Sequence, residues 1–258
     1  MRLEVKTQSQ SVTMPKYVLI QARNEADIAK PEEHSSFAKR LGVSLESLVQ
    51  FNIFAEEMSA EHLLEYDGIL VGGSGEYSVL DNHPIIKRFN NFVGELSTLG
   101  KPMFASCFGF QALALALGGN IIKDPDNAEV GSFDLVTTTL AKQDILFGKL
   151  PTNFIAQLGH QDQASILPSC AINMAASEKT PHQAFRIVDT DVFATQFHPE
   201  LTNEDNRLRF QRYMHIYGKL FGEVKAQEIL NSHKPSPESN NLLRDFHKLV
   251  VRKMNGHQ

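Results

Sequence analysis

Short stretches that are apolar at consecutive positions, not at every second one, set the strongest limit on what this chain can fold into. Tyr17-Val18-Leu19-Ile20, Gly68-Ile69-Leu70-Val71 and Pro102-Met103-Phe104-Ala105 are of this kind. A strand that is apolar on both faces is buried on both, which is the habit of parallel sheets covered by helices. Amphipathic stretches separate these runs. Helices are predicted over 31–41, over 84–99 with Ile85, Ile86, Phe89, Phe92, Val93 and Leu96 in helical spacing, and over 110–117, closed by Gly118-Gly119. A further strand is predicted over 47–54, and a short helix over 59–62 beginning at Ser59.

The pattern changes after Gly119. Residues 130–140, 153–158, 171–176 and 192–197 read as strands with short connections, an antiparallel or mixed extension of the sheet. Beyond Glu200 the chain returns to helix over 207–220, 223–230 and 240–251, with Pro235 and Pro237 breaking the last two apart. The expected fold is α/β and flavodoxin-like: a mostly parallel central sheet with helices on both faces, a mixed-strand extension and a helical C-terminal appendage. The organisation that follows is a frayed lead-in over 1–15, one α/β domain over 16–202 and a helical extension over 203–258.

Composition removes several classes of function. At 42% hydrophobic and 21% charged residues, a chain of 258 can bury a sizeable core and is not intrinsically disordered. A net charge of −5 with no basic run argues against gripping nucleic acid. No apolar stretch approaches the about 18 residues a spanning helix needs, and Met1-Arg2-Leu3-Glu4-Val5-Lys6 lacks the apolar segment of a secretory signal. Two cysteines, Cys107 and Cys170, cannot make a disulfide framework, so a reducing compartment, the cytoplasm, is expected. His34, His62, His83, His182 and His215 have no spacing typical of a metal site, and no metal or other cofactor is expected. Gly72-Gly73-Ser74-Gly75 lacks the Gly-Lys-Ser/Thr ending of a phosphate loop.

Three local signals carry chemistry. Cys107 stands between an apolar strand and an Ala/Leu helix, with Ala105 two before it and Gly109 two after. A sharp strand–nucleophile–helix turn needs such small neighbours, and a helix N-terminus favours thiolate. The bland alternative is a buried structural cysteine. His198 and Glu200 follow an apolar strand on either side of Pro199, so an extended chain puts both side chains on one face. A carboxylate beside an imidazole fixes its tautomer and supports its charge, although a surface His and Glu at a strand end are common. Gly72 and Gly73 directly follow a buried strand, where backbone N–H groups can turn inward to hold an oxyanion; a plain flexible loop is the alternative.

Taken in order along the chain, these motifs resemble the class I, triad-type glutamine amidotransferases, most closely the glutaminase domain of GMP synthetase and stand-alone proteins similar to it. The resemblance runs from about Tyr17 to Glu200 and rests on the glycine loop at 68–73, on Ala105 to Gln111, and on Gln196-Phe197-His198-Pro199-Glu200. Ala105 departs from the family, which usually has glycine there. The resemblance implies Cys107 as the nucleophile toward a γ-carboxamide, His198 as general base and acid, and Glu200 as its orienting partner. It implies the N–H groups of Phe108 and Gly73 as the oxyanion hole, expected to be already formed. Gly72, Gln111, His160 and Gln161 are implied as substrate contacts, the last two within Gly159-His160-Gln161-Asp162.

The expected function is hydrolysis of the γ-carboxamide of glutamine, or of another γ-glutamyl compound, through a cysteine thioester with release of ammonia. The about 58 residues after Glu200 are too few for an ATP-pyrophosphatase domain, so any ammonia-accepting synthetase is expected to be a separate protein subunit. The alternative is a catalytically silent binding or regulatory module on the same fold. Neither nucleic acid nor a membrane is an expected partner.

Overall fold

In the computed structural model, residues 14–55 and 59–256 are described. The expected lead-in over 1–15 falls outside them except for Met14 and Pro15. The apolar runs become strands β1 (Tyr17–Gln21), β3 (Gly68–Val71) and β4 (Met103–Ser106), every residue of which is buried. With β2 (Leu48–Asn52) and β11 (Val192–Thr195) they form the parallel half of a nine-stranded sheet in the order β2-β1-β3-β4-β11. The antiparallel half continues from β11 through β10 (Ala184–Ile187), β9 (Ala171–Ala176) and β6 (Glu129–Thr137) to β7 (Asn153–His160). A separate two-stranded sheet pairs β5 (Asn120–Lys123) with β8 (Asp162–Ile166).

Because side chains alternate along a strand, the parallel strands feed two cores. Val18, Ile20, Ile69, Val71, Met103, Ala105, Val192 and Ala194 face α2 (Pro84–Leu96) and α3 (Phe108–Ala116). Tyr17, Leu19, Leu70, Phe104 and Phe193 face the other side, with α1 (Ala29–Leu41) and the last helix, α7 (Pro237–Met254). The helical appendage is therefore part of the core: Leu242, Leu243, Phe246 and Val250 of α7 are fully buried or nearly so.

Between β11 and α7 lie α4 (Asn203–Arg212), α5 (Met214–Phe221) and α6 (Glu223–Asn231). The single helix expected over 207–220 is two helices that break at Tyr213, and the first begins earlier, at a capping box in which Thr202 and Asp205 bond each other's backbone N–H. Strands β5, β8 and β10 were not among the expected elements. Among the described residues, no helix is long and apolar enough to cross a membrane.

Candidate active site

Three neighbouring parallel strands, β3, β4 and β11, end level with one another: Val71 pairs with Ala105, and Ser106 with Thr195. The residues just past their carboxyl ends, Gly72-Gly73, Cys107 and His198, are thereby gathered at one edge of the sheet. That edge, beside the place where strand order reverses about β1, is where open α/β sheets hold their sites.

Cys107 occupies φ 51°, ψ −98°, a backbone conformation few L-residues adopt. Its N–H donates to the Thr195 carbonyl at 2.8 Å, and α3 starts at the next residue. The turn is tight enough to dictate its neighbours. A methyl on Gly109 would lie 2.8 Å from Val71 Cγ1 and 2.9 Å from the Val71 carbonyl oxygen. Cys107 is buried, whereas Cys170 is exposed.

His198 is 4% exposed. Its Nδ1 lies 2.6 Å from Glu200 Oε1, and Glu200 Oε2 accepts a 2.9 Å hydrogen bond from the Ser106 hydroxyl, the residue before the cysteine. Burial by itself lowers the His198 pKa, but the Glu200 carboxylate and the hydrogen-bonded Cys107 sulfur outweigh it and push it up to about 9. Gln196 Nε2 also points at Cys107 Sγ, 3.7 Å away, and Gln111 Nε2 donates to Gln196 Oε1 at 3.2 Å and to the Asp162 carbonyl at 2.8 Å.

The glycine loop differs from expectation. The Gly73 N–H donates to Glu33 Oε1 at 2.9 Å and so is not free to face Cys107. Glu33 is fully buried and gathers donors around its charge: Arg23 Nε and Nη2 at 2.9 Å each, and Gln21 Nε2 at 2.9 Å. Burial raises its pKa and the Arg23 guanidinium lowers it, with the net result below the ordinary carboxylate range. A buried carboxylate captures the nearest N–H because an unpaired one is costly, and Gly73 offers it. Of the two N–H groups expected to hold an oxyanion, that of Gly73 is therefore already engaged. The Phe108 N–H, at the first position of α3, meets no partner among the described residues.

Gly72 uses its N–H on the Ile20 carbonyl and its carbonyl on the Gly109 N–H, and a methyl there would meet the Glu33 carboxylate at 2.8 Å. It supports the loop and does not line the cavity that opens over Cys107. That cavity, about 220 Å³, is lined by the other expected contacts, Gln111, His160 and Gln161, together with Phe108 and His198. The His160 Nδ1 lies 3.1 Å from the Asp162 carbonyl, and its Nε2 lies 3.3 Å from Glu129 Oε2. Sequence reasoning missed Ser106, Glu33 and Arg23, and also a wall contributed by Arg209, Tyr213 and Tyr217.

A doubly wound α/β fold with a cysteine, a histidine and a carboxylate gathered at adjacent strand ends defines the class of the molecule, an α/β protein whose candidate site lies at the carboxyl edge of a mostly parallel sheet. A family model described as glutamine amidotransferase class-I matches residues 34–216, and the chain belongs to that family, one of enzymes that work on glutamine. It is 28% identical over 164 residues to a glutamine-hydrolyzing GMP synthase subunit of Sulfolobus acidocaldarius, covering 63% of this chain and 83% of that protein. It is 27% identical over 195 residues to gamma-glutamyl peptidase 4 of Arabidopsis thaliana, covering 73% and 77%. The crystal structure of a glutamine amidotransferase from Thermotoga maritima superposes with a TM-score of 0.69 at 19% identity, covering 93% of this chain and 99% of that one. A glutamine amidotransferase from Methylobacillus flagellatus does so at 0.69 and 20%, covering 95% and 96%. At such identities the structural likeness speaks for the fold alone.

Proposed function

We propose that this chain hydrolyses a γ-glutamyl amide, glutamine or a related compound, with Cys107 as nucleophile, His198 as general base and acid, and Glu200 as the group that orients His198. The observation that carries the reading is the run of contacts from His198 to Glu200 and on to Ser106, with the Cys107 sulfur beside His198, built on the ends of two adjacent strands, β4 and β11. The Cys107 thiolate attacks the γ-carbonyl carbon, and the developing oxyanion takes the Phe108 N–H. The C–N bond breaks as His198 gives its proton to the departing nitrogen, leaving a glutamyl thioester. Water, losing a proton to His198, then attacks the thioester carbon, and glutamate leaves as the cysteine is restored. Gln111, His160 and Gln161 are assigned to the amino-acid end of the substrate.

A glutamine analogue with an electrophile at the γ-position tests the assignment. It should add to Cys107 and spare Cys170, even though Cys170 is the exposed one; peptide mapping that found label only on Cys170 would remove the nucleophile from the scheme.

One observation favours a second reading. With the Gly73 N–H on Glu33, the second oxyanion donor is withheld, as suits a subunit whose glutaminase waits for a synthetase partner. Negligible ammonia release by the purified chain, rising when the partner is added, would establish that reading. Steady release by the chain alone would exclude it.

A further inference from the structure

The wall of the cavity that the expected mechanism leaves idle comes from α4 and α5. Asn206, Arg209 and Tyr213, then Ile216 and Tyr217 three and four residues further on, line the space over Cys107. The wall is held in place from several sides. Asn206 Nδ2 bonds the Gly131 carbonyl at 3.3 Å and Gln157 Oε1 at 3.2 Å. The Tyr217 ring stacks on the buried Phe210 with centroids 4.4 Å apart. Arg212, turned the other way, grips Glu32 of α1 with a two-pronged ion pair at 2.7 and 2.8 Å.

Against this fixed background three donors are left over. The Arg209 guanidinium and the hydroxyls of Tyr213 and Tyr217 have neither a hydrogen bond nor an ion pair with any described residue. Arg23, the other guanidinium at the cavity, is used up: Nε and Nη2 on Glu33, Nη1 on Asp27 at 2.9 Å. Arg209 senses Glu32 and Glu33 through space without bonding either. Burial pushes the Tyr217 phenol up to about 12, so that it remains an O–H donor at neutral pH. A half-buried guanidinium flanked by two phenols, all facing one cavity and none engaged, is a receptor for an anion with planar acceptor oxygens.

We propose that Arg209, with Tyr213 and Tyr217, binds a carboxylate on the leaving amine, so that the preferred substrates are γ-glutamyl conjugates of amino acids or peptides and not glutamine itself. This rests on the reading of Cys107 as the nucleophile toward a γ-glutamyl amide. In that reading the amino-acid end of the substrate already has its own wall, at Gln111 and 159–162. The leaving group of glutamine is ammonia, which gives a guanidinium nothing to hold. The other source of the same chemistry is the α-carboxylate of the glutamyl group, and the experiment separates the two.

The measurement is kcat/KM of the full chain for γ-glutamylglycine and for γ-glutamylethylamide, which share the glutamyl half and differ in the carboxylate on the leaving amine. The parent should favour γ-glutamylglycine by at least about 10-fold. Arg209→Gln should cut the ratio of the two by about 10–100-fold, through KM, and Arg209→Lys should recover part of it. An equal loss on both substrates would leave the ratio unchanged and assign Arg209 to the α-carboxylate, overturning the proposal; so would no loss on either. If the parent cleaves neither compound, the reading of the isolated chain as a hydrolase of γ-glutamyl amides fails by itself, and only the partner-dependent reading is left. The subsite is then tested by calorimetry of γ-glutamylglycine on Cys107→Ala protein. Binding weakened at least about 10-fold by the further change Arg209→Gln, with binding of γ-glutamylethylamide unaltered, supports the subsite; equal weakening of both, or unchanged binding, overturns it.

Discussion

His198 keeps its proton in a buried site because a carboxylate and a cysteine sulfur stand on either side of it, and the consequences can be followed with pH. Its pKa is raised from 6.5 to about 9 in the folded chain. The stability this group contributes is therefore complete below about 6.5 and is lost as pH rises through 9; denaturant midpoints taken across that interval should fall. The alkaline limb of kcat/KM should lie near 9 for the same reason. In Glu200→Gln the packing is kept but the charge supporting the imidazolium goes. The limb should move toward the ordinary imidazole range, and kcat should fall by about 10²–10⁴-fold. A Glu200→Gln enzyme with the parent's pH profile would make Glu200 a bystander. Cys107, His198 and Glu200 were legible in the sequence because each sits in a motif a few residues long. Ser106 was not read as a partner of Glu200, since 94 residues separate them and only the pairing of β4 with β11 brings them together. Glu33 was equally hidden: nothing in the spacing says that a carboxylate on α1 will reach the Gly73 N–H 40 residues away.

At the level of elements, the turns around the site constrain their residues more tightly than the helices and strands they join. α3 can approach β3 only because Gly109 has no side chain, its missing methyl being 2.9 Å from the Val71 carbonyl oxygen. Gly109→Ala should lower stability by about 1–3 kcal/mol, as overpacking does, and should also reduce turnover by shifting the Phe108 N–H. Thermal unfolding and kcat on the same preparation check both; a loss of stability with unaltered kcat would mean that α3 yields without disturbing the nucleophile. The parallel strands β1, β3 and β4 were readable from consecutive apolar residues, because both their faces are covered. Strands β5, β8 and β10 were not. Of the four residues of β5 only Ile121 is buried, and its order comes from pairing with β8 some forty residues later. β10 has four residues and is held as a strand by neighbours on both sides, β9 and β11. Such segments take their conformation from the sheet and carry little pattern of their own.

Across the whole molecule, α7 links the core to the site, which gives two substitutions on one helix opposite expectations. Phe246 lies wholly in the core, edge-on to Phe104 at 5.7 Å and to Phe193 at 6.3 Å. Asn240, two turns earlier, donates from Nδ2 to the carbonyls of Pro199 at 2.8 Å and Leu201 at 2.7 Å, on either side of Glu200. Phe246→Ala leaves a cavity and should cost about 3–5 kcal/mol, while the fraction that remains folded keeps its kcat within about twofold. Asn240→Ala removes less apolar contact and should cost about 1–3 kcal/mol, because two buried carbonyls lose their donor. Its larger effect falls on chemistry: the Pro199–Leu201 segment loosens, Glu200 no longer holds His198 in one orientation, and kcat drops about 10-fold or more with little change in KM. The rate at which a γ-electrophilic glutamine analogue labels Cys107 should fall in parallel, since it depends on the same imidazolium. If Asn240→Ala proved less stable yet labelled and turned over at the parent's rate, α7 would serve the fold alone, and the orientation of Glu200 would rest on Ser106.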